Sequence, residues 1–531
     1  MILSKLKAEI EKLLGQVEAR PSEGQRFDVT YADARFGDFA TNVALVYAGG
    51  LKKPPRAVAE QLAPELARIK GVERAEVAGP GFINITMTQE FWVGELARID
   101  ADYGRSKLGR GKKVQVEYIS ANPTGPTTIG NARGGFIGEV LARVLDRSGY
   151  EVTREYYFNN AGSQITKLLE SVKMEAGLVP ENDERQYRGE YIRKLADKFA
   201  TQLRTKPDAE LKGLITTEIL KRYIEPAVAA MGIRFDVWFN EADLLADDRF
   251  EETLRRLRER DLVFDRDGAV WLKTGQLGDE RPERVLIKSN GDPTYMAPDI
   301  AYHVDIFGAR GFDYAIKVLG PDHVAQFPSV YAAVHELFPD KVFRMAGYQQ
   351  MRIMQQGREV KISKRLGNFV TVEELIAKVG QPVALFFTLM RSAESHMDFD
   401  LDLAVEQSAK NPFYYVMYAY VRAHSILAKA ADRNLRPGRT IDQLDARELA
   451  LVKQMSRLPE MIEEMAEDYG VHRLTFFGLE LAKLFQEYYE GVRIVDLPPE
   501  EAVGKLYFVG QFLALMDVYW SLLGIEPQRK M

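Results

Sequence analysis

The alternation of apolar and polar positions changes period shortly after residue 112, and this change predicts a strand, a loop and a helix in succession. Val114, Val116 and Tyr118 alternate with their neighbours in a run rich in β-branched and aromatic residues, as in a strand. The segment 122–126 contains Asn, Gly and two Pro residues, which interrupt a strand. From Ala132 onward, apolar residues recur at helical spacing. Ligands bind at the carboxyl ends of strands in open α/β sheets, and a helix start favours phosphate, so this stretch is the first candidate site.

The same periodicities divide the rest of the chain into regions. Residues 1–105 read as a small α/β domain, and residues 106–395 alternate strands with helices, apart from a charged and largely helical insertion at about 180–285. Residues 396–531 read as helices only. Alternating strands and helices predict a doubly wound parallel sheet with right-handed crossovers. The predicted fold class is therefore α/β, with an N-terminal α/β appended domain and a C-terminal α-helical bundle.

Composition narrows the chemistry. The chain has 531 residues, 46% of them hydrophobic and 28% charged, a formal net charge of −6 and no cysteine. Disulfides, thiolate zinc sites and a cysteine nucleophile are excluded, and nucleic-acid binding would require a local basic face. The apolar face of the N-terminal helix is interrupted by Lys and Glu, and no stretch reaches the ~18 apolar residues of a membrane span. We expect a cytoplasmic protein without a membrane partner.

The first candidate site resembles the first signature of class I aminoacyl-tRNA synthetases, in particular the arginyl branch. In that family a loop close to NPTGP precedes a His-x-Gly-His tetrapeptide, and here the loop is followed by Thr128-Ile129-Gly130-Asn131. The resemblance implies that Thr128, Gly130 and Asn131 bind ATP and act in catalysis. Thr128 provides a hydroxyl donor without charge, and Asn131 provides an amide donor, so both histidines of the family pattern are replaced.

A second segment resembles the other class I signature. Lys361-Ile362-Ser363-Lys364 is similar to the family's Lys-Met-Ser-Lys, and the sequence RLGNFVT follows it as in the family. The resemblance implies that Lys361, Ser363 and Lys364 bind ATP, and that the two lysines neutralise charge on the departing pyrophosphate. One such electrostatic donor can contribute a factor of about 10²–10³ in rate. A basic surface turn is the alternative. His323, in the sequence GPDH, is implied to face the adenosine ribose, or else is structural.

The arginine-reading positions of the family fall on five residues of this chain: Glu117, Asn122, Tyr295, Asp299 and Gln326. A guanidinium presents five donors in a plane and is best matched by carboxylates. Tyr295 and Asp299 are four residues apart, which places them on one helical face. Loss of one charge-assisted partner typically costs ~1.5–3 kcal/mol, and such a polar pocket can reject unmatched analogues by ~10⁴–10⁵ without an editing site. Alternatively, Glu117 and Asp299 are ordinary surface charges.

The helical region resembles the anticodon-binding domain of arginyl-tRNA synthetases. Tyr415 and Tyr418 are three residues apart, close to Asn411. Exposed aromatic side chains can stack on splayed bases at ~1–3 kcal/mol each, so we predict that both tyrosines bind tRNA. Core packing is the commoner role of a tyrosine stripe.

The N-terminal region resembles the domain that arginyl-tRNA synthetases add at this end, through the sequences FGDFATN, LKKPPR and AGPGFIN. The resemblance implies recognition of the tRNA elbow. Lys52, Lys53 and Arg56 are candidate phosphate contacts, although charge runs are usually solvated.

Taken together, the resemblance implies a Rossmann-type catalytic domain and an arginine–tRNA ligase. ATP would activate L-arginine to the adenylate, and the 3'-terminal adenosine of tRNA(Arg) would accept the arginyl group. We expect ATP as a substrate with Mg²⁺, no tightly bound cofactor and no protein metal site. We also expect a monomer. Members of the family often need bound tRNA before they activate arginine, and we expect the same here. One alternative is a catalytically silent tRNA-binding paralogue, suggested by Thr128. The other is a class I-like nucleotidylyltransferase, for which the bundle at 396–531 would have no purpose.

Overall fold

A computed structural model describes most of the chain: residues 1–16, 26–33, 35–182, 185–278, 281–324, 327–360 and 371–530, without the side chains of residues 322 and 323. The N-terminal region is an antiparallel sheet covered by helices, in strand order β1-β2-β4-β3. Its elements are α1 (Ile2–Gln16), β1 (Val29–Tyr31), β2 (Phe39–Thr41), α2 (Val43–Leu51), α3 (Pro55–Leu66), β3 (Val72–Ala78), β4 (Phe82–Met87) and α4 (Gln89–Ala97). Helix α3 begins at Pro55, because proline suits the first position of a helix, and the β3–β4 turn uses Gly79 and Gly81 at positive φ.

The middle region contains a parallel sheet in the order β12-β11-β5-β6-β7. The strands of this region are β5 (Lys113–Glu117), β6 (Glu151–Phe158), β7 (Val237–Asn240), β8 (Val263–Arg266), β9 (Ala269–Leu272), β10 (Arg284–Ile287), β11 (Tyr314–Leu319), β12 (Val342–Gly347), β13 (Met351–Gln355), β14 (Arg358–Glu359) and β15 (Met397–Asp400). The parallel sheet begins at its centre, extends to one side through β6 and β7, and then to the other through β11 and β12. This is a doubly wound order, so the predicted fold class is confirmed.

Helices cover both sides of this sheet and connect its strands. They are α5 (Ile129–Arg147), α6 (Ser163–Glu175), α7 (Glu190–Lys198), α8 (Gln202–Thr205), α9 (Asp208–Ile219), α10 (Glu225–Ala230), α11 (Glu241–Ala246), α12 (Arg249–Glu259), α13 (Met296–Phe307), α14 (Pro321–Val324), α15 (Phe327–Leu337), α16 (Val372–Val379), α17 (Gln381–Thr388) and α18 (Leu401–Val405). Helix α5 is nearly surrounded by protein, because its apolar residues and small glycines face the sheet on one side and the helical region on the other.

The segment at about 180–285 differs from the predicted helical insertion. Helices α7 to α10 do form its first part, but β7 pairs in parallel with β6 and so belongs to the main sheet. Strands β8 to β10 then form a separate antiparallel sheet. The short β7 follows a long helical stretch and carries a Trp-Phe pair rather than an alternating run, so periodicity did not identify it.

The chain also remains mixed beyond residue 396. Strand β15 pairs in parallel with β13, and β14 forms a hairpin with β13. Helices follow: α19 (Pro412–Asp432), α20 (Ala446–Met455), α21 (Leu458–Asp468), α22 (Arg473–Gly491) and α23 (Pro499–Leu523). By length and composition α23 could cross a membrane, with mean hydropathy 1.4, but 67% of that window is buried. It packs against α19 and α22, so it is the core helix of the bundle.

Candidate active site

The candidate site lies at the carboxyl edge of the parallel sheet, between β5 and β11. These two strands are neighbours, although the chain visits β6 and β7 between them. The connections after β5 and β11 therefore leave in opposite directions and open a crevice above the sheet. Helix α5 starts there after β5, and α14 starts there after β11.

The loop between β5 and α5 holds a strained backbone. Ile119 has φ +67° and Ser120 has φ +38°, both in the left-handed region that a β-branched residue rarely adopts. The Ser120 hydroxyl oxygen accepts a hydrogen bond from the Tyr157 N–H at 3.1 Å, and the Tyr156 hydroxyl donates to the Ala121 carbonyl at 2.8 Å. Strain of this kind persists only where the surroundings impose it, and it concentrates at functional sites.

The start of α5 joins two of the predicted ATP-binding residues. Thr128 is the N-cap, and its hydroxyl donates to Asn131 Oδ1 at 3.0 Å, so the two side chains are already bonded to each other. Both are half-buried. At Gly130, an added Cβ would meet only Thr128 Oγ1, at 3.8 Å. The space above the helix start is therefore open, and the backbone N–H groups there can receive an anion.

The whole second signature, Lys361-Ile362-Ser363-Lys364, lies outside the described residues, as do residues 365–370. The next described residue, Thr371, forms a β-bridge with Thr128. The Val372 N–H also donates to the Thr127 carbonyl at 3.2 Å. Thr371 and Val372 therefore lie directly against the start of α5.

Two of the predicted arginine-binding residues meet at a buried lysine. Glu117, the last residue of β5, and Lys317 of β11 are register partners in adjacent strands, and both are buried. Lys317 Nζ lies 3.3 Å from Glu117 Oε2 and donates to Asp299 Oδ1 at 2.6 Å. Asp299 is in the first turn of α13. The site therefore contains two carboxylates held by one ammonium.

The charges in this cluster shift the pKa values of its members. Burial would raise the pKa of Asp299, but Lys317 and His303 outweigh it and hold that pKa below its usual range. Burial would lower the pKa of Lys317, but Asp299 and Glu117 raise it overall. Both groups are therefore charged at neutral pH.

The structure gives fewer contacts for the other three predicted arginine-binding residues. Tyr295 is the N-cap of α13, with helical dihedrals and a half-exposed ring, so it does share a face with Asp299. The Asn122 amide donates to Gln164 Oε1 at 2.9 Å. Gln326 lies outside the described residues. His323 belongs to α14, but its side chain is not among those described.

Sequence reasoning missed one acidic member of the site. Glu241 follows β7 directly, is buried, and accepts a hydrogen bond from the Tyr157 hydroxyl at 2.6 Å. Burial raises the pKa of Glu241 to about 7; the Tyr157 bond lowers it, Asp299 raises it and Lys317 lowers it. Only its position after a strand of the main sheet could have identified Glu241, and that strand was not predicted.

A buried network supports the site from below. The Arg310 guanidinium makes a bidentate ion pair with Glu155 of β6, with one bond at 2.8 Å. Tyr302 of α13 donates to Glu155 Oε1 at 2.8 Å, and the Gln115 amide donates to the Tyr302 hydroxyl at 2.8 Å. These bonds hold α13, and with it Asp299, over the sheet.

The predicted tRNA-binding residues lie away from this crevice. Tyr415 and Tyr418 are half-buried on α19. Burial raises the pKa of Tyr415, with a further contribution from Glu487 of α22. Lys52 and Lys53 are exposed at the end of α2, where Lys53 donates to Gln61 Oε1 at 3.0 Å.

Metal ligands do not cluster in the described part of the chain: no group of three or more His, Asp or Glu side chains there could hold an ion.

Models of protein families match three successive segments of the chain. Residues 2–87 match the arginyl tRNA synthetase N terminal domain, and residues 95–381 match the class I (R) tRNA synthetase catalytic domain. Residues 416–531 match the DALR anticodon binding domain.

Whole-chain relatives agree with these matches. The arginine–tRNA ligase of Desulfotalea psychrophila is 39% identical over 517 residues, 93% of each chain. That of Syntrophotalea carbinolica is 38% identical, over 94% of each chain. The Thermus thermophilus arginyl-tRNA synthetase shares the fold, with a TM-score of 0.78 and 21% identity over 100% of both chains. The chain therefore belongs to the arginyl-tRNA synthetase family.

Proposed function

We propose that this protein is an arginine–tRNA ligase, which activates L-arginine with ATP and transfers it to the 3'-terminal adenosine of tRNA(Arg). The observation that carries the proposal is that Glu117 and Asp299 meet at Lys317 above the switch point of a family catalytic domain. Two carboxylates in a partly dry crevice suit a guanidinium, which offers several N–H donors in one plane.

In the first step, the arginine guanidinium binds Glu117 and Asp299, with the Tyr295 ring at the open side of the pocket. Asn122 and Gln326 complete the predicted contacts to arginine. These interactions hold the arginine carboxylate toward the start of α5. Geometry of this kind lowers the barrier because the reactants no longer need to find each other.

ATP binds with its phosphates over the start of α5, near Thr128, Gly130 and Asn131, and His323 would face the ribose. The arginine carboxylate oxygen attacks the α-phosphorus, the bond to the β-phosphate oxygen breaks, and pyrophosphate leaves. Lys361 and Lys364, with Ser363 between them, would neutralise the charge that builds on pyrophosphate. Mg²⁺ would arrive as part of the ATP substrate.

In the second step, a ribose hydroxyl of the terminal adenosine attacks the carbonyl carbon of arginyl-adenylate. The acyl–phosphate bond breaks, AMP leaves, and the hydroxyl proton is released. Tyr415 and Tyr418 would bind the anticodon end of the tRNA, and the N-terminal region its elbow. The matches to an anticodon-binding domain and to the family N-terminal domain support these roles.

Aminoacylation tests the proposal. The purified chain is mixed with ATP, Mg²⁺, tRNA(Arg) and one of arginine, glutamate, lysine or cysteine. We expect charging with arginine alone. Tight binding of tRNA without any charged product would instead indicate a silent paralogue. Adenylyl transfer that is indifferent to tRNA would indicate a nucleotidylyltransferase.

A further inference from the structure

Lys317 is unusual because it is a buried cation inside a pocket proposed to bind a cation. Its side chain is 8% exposed, and its ammonium lies between the two carboxylates assigned to the arginine guanidinium. An unpaired buried ammonium would be costly, so its charge has to be matched in the free protein. Asp299 and Glu117 provide that match.

The charges of this region add up to a simple balance. Glu155 is neutralised by its bidentate partner Arg310, beneath the pocket. Glu241, with a pKa of about 7, is largely protonated below neutral pH. Glu117 and Asp299 carry two negative charges and Lys317 one positive charge, so these three groups leave a single negative charge for a ligand. That is the complement of one guanidinium.

The contacts of Lys317 also orient the two carboxylates. Its hydrogen bond engages Asp299 Oδ1, and its closest approach to Glu117 is at Oε2. Asp299 Oδ2 and Glu117 Oε1 are the carboxylate oxygens that these Lys317 contacts do not use. Because the carboxylates come from different elements, β5 and α13, one common partner fixes their separation.

We propose that Lys317 is a positioning and specificity-determining residue: it aligns Glu117 and Asp299 on one ammonium and sets the net charge of these groups to the complement of one guanidinium. This inference rests on the proposed arginine–tRNA ligase function. Without Lys317, the attraction that offsets the burial of Asp299 is lost, so the pKa of Asp299 rises and its carboxyl takes up a proton more readily. Arginine would then have to displace that proton.

The titratable and charged groups that face this cluster come from each element packed around it: Glu117, Glu155 and Tyr157, Glu241, Asp299, Tyr302 and His303, Arg310 and Lys317. Glu241 is present in both wild type and variant. Because Lys317 lowers the pKa of Glu241, a difference between their pH profiles reports the loss of Lys317 both at Asp299 and through Glu241.

The test is steady-state aminoacylation by the full chain with Lys317→Met, at saturating ATP and tRNA(Arg), from pH 6 to 8.5. We expect the KM for arginine to rise by roughly ten- to a hundredfold at pH 6.5 and to recover as the pH rises, while the wild-type value changes much less. The KM for ATP should stay within about twofold, as expected for a change confined to the arginine pocket. Discrimination against citrulline, the neutral isostere, should fall, because a protonated carboxyl tolerates a neutral ligand.

Lys341→Met is the matched control, because Lys341 pairs with Asp313 at 2.9 Å at the opposite edge of the same sheet. It should leave arginine kinetics and their pH profile unchanged. Lys317→Gln serves as a second variant, since the amide can still donate to Asp299 but carries no charge.

An arginine KM and pH profile equal to wild type in a folded Lys317→Met protein would overturn the inference. Equal loss for arginine and ATP, or failure of both variants to fold, would assign Lys317 to the scaffold and also overturn it. Failure of the wild type to charge arginine would instead defeat the proposed function itself.

Discussion

At the scale of single residues, Asp299 should determine the affinity for arginine. Asp299→Asn removes a proposed charge-assisted partner of the guanidinium and the closer of the two carboxylates at Lys317. We expect the KM for arginine to rise by about ten- to a hundredfold, equivalent to ~1.5–3 kcal/mol, with the KM for ATP unchanged. Asp305→Asn, on the same helix, is the control, because Asp305 pairs with Arg249 instead. An unchanged arginine KM would remove Asp299 from the pocket.

Glu241 should make the stability of the protein depend on pH. Its pKa is raised from 4.5 to about 7, mainly by burial. The protonated form therefore contributes stability that is fully present below about pH 4.5 and is lost as the pH rises through about 7. Glu241→Gln should have the same melting temperature as the wild type near pH 5. At pH 8 its free energy of unfolding should exceed that of the wild type by about 1–3 kcal/mol. Thermal melting across pH measures the difference, and Glu151→Gln, at an exposed position, should show none.

The residues also differ in how well sequence could identify them. Glu117 and Asp299 could be predicted because the pattern of residue types in the family falls on them, and the structure brings both to Lys317. Lys317 itself was not predicted, because the local sequence of an apolar strand does not show that its lysine contacts two carboxylates. Ile119 was missed as well, because left-handed backbone at a β-branched residue is imposed by tertiary contacts.

At the scale of elements, a change at the start of α16 should affect the KM for ATP more than the KM for arginine. Thr371 caps this helix: its hydroxyl accepts from the Glu374 N–H at 3.1 Å, and Glu374 accepts from the Thr371 N–H at 2.9 Å. The same residue bridges to Thr128 at the start of α5. Thr371→Ala should lower stability by about 1 kcal/mol and raise the KM for ATP, while the KM for arginine stays close to wild type.

Two variants sharpen this experiment on Thr371. Thr371→Ser keeps the hydroxyl and should keep wild-type kinetics. Asp445→Ala removes a comparable cap from α20 in the helical region, so it should reduce stability without affecting ATP. If the KM for ATP is unchanged in Thr371→Ala, the cap of α16 has no influence on ATP binding and the prediction is wrong.

Long elements with strong periodicity were predictable from sequence, and short ones were not. Helix α5 and the hairpin of β3 and β4 follow the predicted pattern, because each is long enough for its hydrophobic period to be recognised. Strand β7 has four residues and β15 has four, and both are held by pairing with a distant strand. Their local sequence carries too little of that information.

At the scale of the whole molecule, the order of the regions was readable from sequence, whereas the contacts between them were not. The N-terminal region packs against the helical region, which follows it by more than three hundred residues. Gln89 and Leu444 exchange two hydrogen bonds, at 3.2 and 3.3 Å, and the Gln511 amide donates to the carbonyls of Leu96 and Ile99. The two regions proposed to bind tRNA are thereby joined to each other.

Disruption of this contact between the N-terminal and helical regions should weaken tRNA binding without altering the active site. Lys453 Nζ of α20 lies 2.5 Å from Asp38 Oδ1 in the N-terminal region, where the Asp38 side chain is only 3% exposed. Lys453→Met leaves that carboxylate buried with the Met87 N–H as its remaining donor among the described residues, which should cost about 1–3 kcal/mol of docking energy.

We therefore expect Lys453→Met to raise the KM for tRNA(Arg) several-fold and to speed hydrogen exchange in residues 35–99, because the two tRNA-binding regions would no longer hold one spacing. The KM values for arginine and ATP should not change, because α20 packs mainly on α4, α22 and α23. Lys483→Met is the control, because Lys483 pairs with Glu480 at 3.6 Å on the surface, where such pairs contribute little. Equal tRNA kinetics in both variants would mean that the N-terminal and helical regions bind tRNA independently, and that their packing serves stability alone.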